Sequence, residues 1–392
     1  MRAYITTLLK IALLLVAVGI FISSRLLSAP CTQVFIMREE ARKHNATQVP
    51  IEAVTKLATF PAGSPGVFAS KTKTENTSVP PLPDDIPLLN HSKTNWIPEK
   101  FFSAPRFCNN YTHKFIISNQ HLCKDHKVLL LIGVRSHGKG YDSRALIRST
   151  WGSVKEFKDF KVITVFVMGV QSNPSLQKAI EQENRINRDI VQADFVESYQ
   201  NLTIKSQTIF KWMRDFCRHA RYFMMTDTDL LVDIYKLTNY LNAINTQTDD
   251  TYILCKVEWT QKPFRPPRYG GHAAMPYDEY ESENYATYCW GGAYVATVPL
   301  INRLYIASLH TPRLRIDDVW TGILAEKAGI KFPPTSDAYI LPWDQNQHML
   351  QHQKYHDGPI IFVAWHGYAT NRKIKLNWAA IAAHHKQSMK ET

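Results

Sequence analysis

The sequence predicts an α/β domain in which a mostly parallel sheet carries helices on both faces, preceded by an N-terminal signal anchor and a stem. Apolar runs of strand length alternate with helical stretches from residue 128 onward, a pattern typical of parallel sheets covered on both faces. A polar, proline-rich segment lies before them, and an uninterrupted apolar run stands near the amino terminus. A hydrophobic content of 45% is enough for a full core and excludes global disorder.

The apolar run near the amino terminus is "IALLLVAVGIFI" at residues 11–22, with Arg2 and Lys10 before it. Extended back through Lys10, it reaches about the 17 residues needed to cross a bilayer, and the basic residues favour a cytosolic amino terminus. We expect a cytosolic tail at 1–10, a signal anchor at 11–27, a lumenal stem at 28–125 and a folded domain at 126–392. The following "LLSAP" also resembles a cleavage site, so a cleaved signal peptide is the alternative.

Other features also predict the secretory pathway. Sequons for N-glycosylation begin at Asn45, Asn76, Asn90, Asn110 and Asn201. The six cysteines include no CxxC pair, which argues against zinc and for disulfides, whose pairing the sequence leaves open. Cys31, beside the membrane, could equally bridge two chains into a homodimer. The formal charge of +12 favours anionic partners without choosing among them.

The elements of the folded domain follow from local patterns. "KVLLLIGV" (127–134) predicts a buried strand, with a helix from about Ser143 capped by Asp142 or Ser143. "KVITVFVMG" (161–169) predicts a second strand, followed by a helix that opens with Pro174. A helix is expected at about 203–219, where apolar residues recur at helical spacing: Ile209, Trp212, Met213 and Phe216. "RYFMM" (221–225) predicts the next strand.

That strand ends in "TDTD", which places Asp227 and Asp229 two residues apart and on one side of the chain. Ligands of open parallel sheets bind outside the carboxyl ends of the strands, where these residues fall. Two such carboxylates suit Mg²⁺ or Mn²⁺. A solvated turn is the ordinary alternative for so short a motif.

Two rival motifs overlap these strands. A hydrophobic strand followed by D-x-D also opens the haloacid-dehalogenase phosphatases, which carry Thr or Val where this chain has Leu231. "GVRSHGKG" (133–140) is one residue short of a P-loop, because Gly140 replaces the Ser or Thr that binds Mg²⁺. A sulfotransferase does not need that metal, so this loop leaves a Golgi sulfotransferase as an alternative.

Taken in order, the blocks of residues 127–370 resemble the β-1,3-glycosyltransferase family, which includes galactosyl- and N-acetylglucosaminyltransferases and, more distantly, the Fringe proteins. The matching blocks are "SRALIRSTWG" (143–152), "VFVMG" (165–169), "DIVQADFVESYQNLTIKSQTIFKWMRDFC" (189–217), "YFMMTDTDLLV" (222–232), "YATYCWGGAYVAT" (285–297), "IDDVWTGILAEKAGI" (316–330) and "FVAWHG" (362–367). The specificity of the match lies in the set and its order.

The chain departs from the family pattern at several positions. Thr228 replaces the middle residue of an Asp triplet, and Asp317 stands where the family has Glu. Ala286 and Trp290 replace the usual Pro and Ser. Because the last two changes lie where the acceptor would sit, they put the identity of the acceptor in doubt.

The resemblance implies a GT-A-type, Rossmann-like catalytic domain in a type II Golgi membrane protein. It implies an inverting transfer of a hexose from a UDP-sugar to a glycan hydroxyl, with a β-1,3 linkage and Mn²⁺ or Mg²⁺ as cofactor. Galactose is the favoured sugar, with N-acetylhexosamine as the alternative. A glycoprotein or glycolipid would be the acceptor, and nucleic acid is not an expected partner.

The same resemblance implies roles for individual residues. Asp227, Asp229 and His366 would be the metal ligands, Asp318 the general base, and Asp317 the cap of the helix that follows. The residues implied for nucleotide binding are Arg135, Arg144, Arg148, Lys205 and Asp227, with Arg144 favoured over Arg148 and with Arg135 and Lys205 as weaker candidates. A non-catalytic glycan-binding relative remains as an alternative, on the strength of Thr228 and Trp290.

Overall fold

The computed structural model describes residues 82–94, 96–104, 108–124, 127–244, 251–266, 271, 273–341, 358–365 and 370–391. The expected tail and signal anchor, most of the stem, and the residues Asn45, Asn76 and His366 lie outside these ranges. No helix within them is long and apolar enough to cross a membrane.

The strands are β1 (Phe115–Ile117), β2 (Val128–Arg135), β3 (Glu156–Phe157), β4 (Phe160–Val170), β5 (Ile190–Val196), β6 (Tyr222–Thr226), β7 (Leu230–Val232), β8 (Ile253–Glu258), β9 (Tyr288–Thr297), β10 (Tyr339–Ile340) and β11 (Phe362–Ala364). The helices are α1 (Tyr141–Ser149), α2 (Pro174–Asn187), α3 (Leu202–Phe216), α4 (Ile234–Ala243), α5 (Val298–Leu309), α6 (Asp317–Lys327) and α7 (Thr370–Glu391). Short 3-10 helices cover Glu99–Phe101, Gln120–Cys123, Trp151–Ser153 and Tyr199–Asn201.

The main sheet has the strand order β1-β5-β4-β2-β6-β9-β8, with β3 paired to β4. Its central strands β5, β4, β2 and β6 are parallel, and every residue of β2 is buried. The remaining strands add antiparallel to both sides. The predicted α/β class with a parallel core is therefore confirmed, and the antiparallel strands make the sheet mixed.

A second sheet of order β10-β11-β7 lies directly after the "TDTD" turn. Strand β7 begins at Leu230 and pairs antiparallel with β11. The backbone N–H of Trp365, just past β11, donates to the carbonyl of Asp229 over 3.5 Å. This pairing brings the end of β11 beside the carboxylate turn, although it is about 135 residues further along the chain.

Helices cover both faces of the main sheet, as expected. On one face the core includes α3, α5 and α6, and on the other it includes α1, α2, α4 and α7. Three residues of the predicted α3 stripe, Ile209, Trp212 and Met213, are fully buried, and Phe216 packs half-buried beside them. The predicted start of α2 is also confirmed, because Asn173 caps the helix by accepting from the N–H groups of Ser175 and Leu176.

The folded unit begins earlier than the boundary predicted at residue 126, since it includes residues from Leu82 onward. Phe101 is buried in the core, β1 pairs with β5, and the N–H of Leu89 donates to the carbonyl of Lys327 over 2.8 Å. These anchors are spaced irregularly. We call residues 82–114 the strap; its described part has a short 3-10 helix at Glu99–Phe101 and is otherwise irregular. Such a strap has neither helix nor strand periodicity, so sequence patterns assigned it to the stem.

Two disulfides join distant parts of this unit, which confirms the expectation for the cysteines involved. Cys123 is bonded to Cys217 at the end of α3, and Cys255 is bonded to Cys289 across the neighbouring strands β8 and β9. Crosslinks over 94 and 34 residues restrict the unfolded chain and stabilise the fold by about 4 to 5 kcal/mol each in the loop-entropy picture.

Two helix starts differ from the predicted ones. Helix α1 begins at Tyr141 with Gly140 as its N-cap, rather than at Asp142 or Ser143. Helix α6 has Ile316 at its N-cap and no side-chain cap, so the assignment of Asp317 as the cap is wrong. The physical reason is that the Asp317 carboxylate turns away from its own helix and pairs with Arg135.

Candidate active site

The candidate site lies at the carboxyl ends of the parallel strands β2 and β6, where open α/β sheets bind their ligands. Arg135 is the last residue of β2, and Asp227 follows the last residue of β6. Asp317 and Asp318 open helix α6, and Gly291 comes from β9. Residues far apart in sequence therefore meet at one edge of the sheet.

Arg135 is the centre of the cluster. Its Nε donates to Asp227 Oδ1 over 2.8 Å, and its Nη2 donates to Asp227 Oδ2 over 2.9 Å. The same guanidinium donates to the Asp317 carboxylate and to the carbonyl of Gly291. Burial opposes the charge, but Asp227 and Asp317 outweigh it and raise the pKa of Arg135 above its ordinary value. The guanidinium is therefore a permanent cation that ties α6 and β9 to the end of β6.

Asp317 is fixed by two elements at once. Its carboxylate accepts from Arg135 and also from Ser206 Oγ of helix α3, over 2.9 Å. The side chain is only 10% exposed. Asp317 therefore positions the first turn of α6, and with it the neighbouring carboxylate of Asp318.

Asp318 differs from Asp317 in having no cation partner among the described residues. Its Oδ1 accepts from the N–H of Val319 over 2.8 Å, and a Cβ added at Gly291 would lie 3.0 Å from its Cβ and its Oδ2. Glycine at 291 thus lets strand β9 pass directly beside this carboxyl group. Burial, reinforced by the neighbouring Asp317, raises the pKa of Asp318 to about 7. Such a carboxyl can exchange protons near neutral pH, as a general base must.

Asp227 has both oxygens bound to Arg135, and its side chain is 39% exposed. Burial raises its pKa to about 6, with Arg135 acting against that effect and Asp229 and Asp317 adding to it. Among the described residues of the cluster, one guanidinium lies with three carboxyl groups, those of Asp227, Asp317 and Asp318. Oxygen donors with excess negative charge are the chemistry that Mn²⁺ and Mg²⁺ require.

The donor set of the expected metal site therefore fits a hard divalent ion, but the described residues supply only part of it. Within those residues, no group of three His, Cys, Asp or Glu side chains is placed to hold a metal. The third expected ligand, His366, follows Trp365, whose backbone contacts Asp229, but His366 itself lies outside the described ranges.

The expected nucleotide-binding arginines of α1 have protein partners. Arg144 is fully buried and donates to Glu183 over 2.8 Å and to the carbonyl of His137 over 2.6 Å. Arg148 pairs with Glu183 over 2.7 Å and with Asp189 over 2.8 Å. These contacts place both guanidinium groups in ion pairs that join α1 to α2 and to the residue before β5.

Lys205 lies on α3, at the loop that follows β2. Its Nζ donates to the carbonyl of Ser136 over 2.6 Å and to Glu197 over 2.7 Å. In the loop at residues 136–140, Arg144 binds the carbonyls of His137 and Gly138. A P-loop instead directs its N–H groups at a phosphate, so these carbonyl contacts do not support the sulfotransferase alternative.

The described sequon residues differ in access. Asn90 and Asn110 are exposed, as glycan acceptors must be. Asn201 is half-buried at the start of α3, and its Nδ2, the atom to which a glycan is joined, donates to the carbonyl of Val196 over 2.7 Å.

Sequence reasoning ranked Arg135 below Arg144 and missed the pairing of Asp317 with Arg135. One available signal was position, because Arg135 ends the strand beside the one that precedes "TDTD". The pairing itself joins residues 182 apart, and no local pattern predicts a contact of that range.

Comparisons with known proteins agree with the resemblance. Residues 142–335 match the family model described as galactosyltransferase. β-1,3-Galactosyltransferase 1 of Mus musculus, like that of Homo sapiens, is 34% identical over 222 residues, covering 57% of this chain and 67% of the relative. Lactosylceramide 1,3-N-acetyl-β-D-glucosaminyltransferase A of Xenopus laevis is 32% identical over 228 residues, covering 56% and 59%.

Among solved structures, a galactosyltransferase in complex with donor and acceptor sugar analogues aligns with a TM-score of 0.36 and 10% identity. That alignment covers 64% of this chain and 96% of the other.

Proposed function

Because this chain belongs to the β-1,3-glycosyltransferase family, and is thus a glycosyltransferase, we propose that it transfers galactose from UDP-galactose to a glycan hydroxyl, with inversion, forming a β-1,3 linkage. Support for the sugar comes from the relatives, since β-1,3-galactosyltransferases 1 and 2 are both similar to this chain. The N-acetylglucosaminyltransferase of Xenopus laevis makes an N-acetylhexosamine donor the alternative. The proposal includes a GT-A-type arrangement, supported by the parallel strand order and a site at the strands' carboxyl ends.

The observation that carries the proposal is the state of Asp318. A half-buried carboxyl group with a pKa of about 7 lies at the edge of the sheet where ligands bind. One of its oxygens is held by the N–H of Val319, which fixes its orientation. The acceptor hydroxyl gives its proton to Asp318 while its oxygen forms the bond to the anomeric carbon. The bond from that carbon to UDP breaks, and UDP leaves with the electron pair.

The leaving UDP gains negative charge beside the carboxyl groups of Asp227, Asp317 and Asp318, so the reaction needs a further cation there. We assign Asp229, Asp227 and His366 to hold Mn²⁺ or Mg²⁺, which when bound neutralises the diphosphate as a Lewis acid. The excess of carboxylates over cations in the cluster supports this assignment.

The contacts of the cationic residues favour two kinds of role. Arg135 positions Asp227 and Asp317, and we propose that it lies beside the bound nucleotide. Lys205 supports the loop after β2 through the carbonyl of Ser136. The proposal assigns no phosphate contact to Arg144 or Arg148, because their ion pairs with Glu183 give them a structural role.

The proposed location is the Golgi membrane, with the catalytic domain in the lumen and an acceptor carried by a glycoprotein or glycolipid. The apolar run at residues 11–22 and the exposed sequons at Asn90 and Asn110 support it. The Cys123–Cys217 and Cys255–Cys289 disulfides also support it, since such bonds persist in oxidising compartments.

The test is an assay of UDP release by the purified full-length chain in detergent. UDP-galactose, UDP-N-acetylglucosamine and UDP-N-acetylgalactosamine are each offered with a panel of β-linked saccharide acceptors, in Mn²⁺ or in EDTA. We expect release that needs acceptor and Mn²⁺ and is fastest with UDP-galactose. Absence of both transfer and Mn²⁺-dependent UDP binding would overturn the proposal, and preference for another sugar would overturn the choice of galactose.

A further inference from the structure

Tyr285 carries a buried hydroxyl group that no described residue satisfies. Its side chain is buried, with a residue exposure of 4%, and its Oη has no hydrogen-bond partner. Burying a hydroxyl without a partner costs free energy, so such a group in a native fold calls for an explanation. A ligand that supplies the missing hydrogen bond is one.

The position of Tyr285 links this hydroxyl to the proposed base. Asp318 and Gly322 stand four residues apart on one face of α6. A Cβ at Gly322 would lie 2.5 Å from the carbonyl of Thr287 and 2.7 Å from Tyr288 Cβ. The face of α6 that carries Asp318 therefore packs directly on the start of β9, two to three residues after Tyr285.

The Tyr285 ring cannot turn easily to find another partner. Its ring centroid is 5.2 Å from that of Tyr280 and 6.3 Å from that of Tyr288. Its backbone N–H donates to the carbonyl of Gln261 over 2.8 Å. The loop before it is also fixed, because Arg265 donates to the carbonyl of Tyr280 over 2.7 Å.

The phenol stays protonated and can therefore donate. Burial raises the pKa of Tyr285 well above its ordinary value, with Arg265 opposing and Asp318 and Glu279 adding to the effect. The contribution of Asp318 also places its carboxylate within electrostatic reach of the phenol. The two groups make no hydrogen bond with each other, so the phenol can still donate one to a ligand.

We propose that Tyr285 binds the acceptor sugar through the hydroxyl adjacent to the one that Asp318 deprotonates. Tyr285 is then a specificity-determining residue, and the acceptor class is a pyranoside with a free hydroxyl next to the reacting one. The inference rests on the proposed function, in which Asp318 is the base. In a β-1,3 transfer the adjacent hydroxyl is at carbon 2 or carbon 4, and the experiment distinguishes the two positions.

The experiment compares kcat/KM for a methyl β-hexoside with that for its 2-deoxy and 4-deoxy analogues, in the full-length enzyme and two variants. In the unmodified enzyme, one deoxy analogue should lose at least about tenfold in kcat/KM, because a buried group is then left unpaired. Tyr285→Phe should show a similar fall in kcat/KM for the parent sugar and little further fall for that analogue. The variant would then no longer distinguish the two sugars.

Tyr280→Phe is the matched control. It removes a hydroxyl from the same aromatic cluster, but this hydroxyl is already bonded to the carbonyls of Trp96 and Asn284, over 2.9 Å and 3.1 Å. We expect it to lower the melting temperature and to keep the discrimination between parent and deoxy sugar. Melting temperature and UDP binding report whether each variant is folded.

Full discrimination in Tyr285→Phe would overturn this inference and leave the proposed function standing. Equal kcat/KM values of the unmodified enzyme for the parent, 2-deoxy and 4-deoxy sugars would also overturn the inference, even if Tyr285→Phe failed to fold. Absence of any acceptor-dependent UDP release by the unmodified enzyme is a different result, since it counts against the proposed function itself.

Discussion

At the scale of single residues, the roles of the site carboxylates depend on which of them bind the guanidinium of Arg135. Arg135 takes Asp227 and Asp317 as partners and leaves Asp318 without a salt bridge among the described residues. Because Asp318 is desolvated without such a partner and lies beside Asp317, its pKa rises to about 7, whereas Asp317 is held by Arg135. The division of roles between adjacent aspartates follows from which of them faces the guanidinium.

Replacing Arg135 by lysine tests this sharing. An ammonium group cannot reproduce the bidentate contact with Asp227 while also reaching Asp317 and the Gly291 carbonyl. We expect Arg135→Lys to lower kcat/KM about 100-fold, the scale of loss for a misplaced catalytic group. Arg214→Lys, at the ion pair with the exposed Asp84, is the control and should leave activity nearly unchanged. Near-normal activity in Arg135→Lys would show that the shared guanidinium is dispensable.

The pH dependence of activity belongs to Asp318. The ionised carboxylate is the base, and its pKa is raised to about 7, so activity should rise with pH and level off above that value. We expect kcat/KM to fall about tenfold per pH unit below pH 6, with an apparent pKa near 7 for the acid limb. A profile that stays flat down to pH 5 would contradict the assignment.

The same raised pKa has a consequence for stability. Because the folded state disfavours the charged form, the contribution of Asp318 to stability falls as pH rises from 3.8, the ordinary pKa of an aspartate, towards 7. The raised pKa of Asp318 therefore suits proton transfer near neutral pH but lowers the stability of the fold when the carboxyl group is ionised.

At the scale of elements, α1 is joined to α2 and to the start of β5 by a buried ion-pair network. Glu183 of α2 pairs with Arg144 and Arg148 of α1, and Arg148 also pairs with Asp189 next to β5. Although burial alone would raise it, the pKa of Glu183 is lowered by the two arginines. The network also fixes the loop after β2, since Arg144 donates to the carbonyl of His137.

Glu183→Gln should therefore act on the fold. Removing one partner of a buried ion pair leaves uncompensated charge, and we expect about 3 to 5 kcal/mol less free energy of unfolding in urea. The KM for the UDP-sugar should stay within about twofold in the protein that remains folded, as expected when a change removes no substrate contact. A large rise of KM with normal stability would instead place Arg144 or Arg148 at the nucleotide.

These elements also show what the sequence could predict. Strands β2, β4 and β6 and helices α2 and α3 were predicted because their apolar patterns are local. The strap before β1, the start of α6 and the pairing of Arg135 with Asp317 depend on contacts between distant residues. The sequence named Asp227, Asp318 and Arg135 as site residues, and their roles stay predictions; it could not say which cation each carboxylate meets.

At the scale of the whole folded unit, the strap before β1 is part of the core. Phe101 and Phe102 are at most 5% exposed, and Lys327 of α6 donates to the carbonyl of Phe101 over 2.8 Å. Burial of that lysine lowers its pKa to about 8, so the strap also covers a costly buried cation. Helix α6, which carries Asp318, is thus held partly by residues assigned to the stem.

A truncation series tests this role. A secreted chain that begins at residue 82 should fold with nearly full stability, because it keeps the strap. A chain that begins at residue 105 loses the buried Ile97, Phe101 and Phe102, at about 1.5 to 3 kcal/mol for each. We expect a lower melting temperature and poorer secretion for the shorter chain. Equal melting temperatures would show that the strap is not needed for the core.

The most direct test of the central claim is the effect of Asp318→Asn on transfer and on UDP binding, measured on the same preparation. The amide keeps the shape of the side chain but cannot accept a proton, so transfer should fall about 1,000-fold or more, while calorimetry shows unchanged Mn²⁺-dependent UDP binding. Asp215→Asn, at an exposed ion pair on α3, should transfer normally. Asp318→Asn that still transfers at more than about a tenth of the normal rate, far above what loss of a general base allows, would contradict the account.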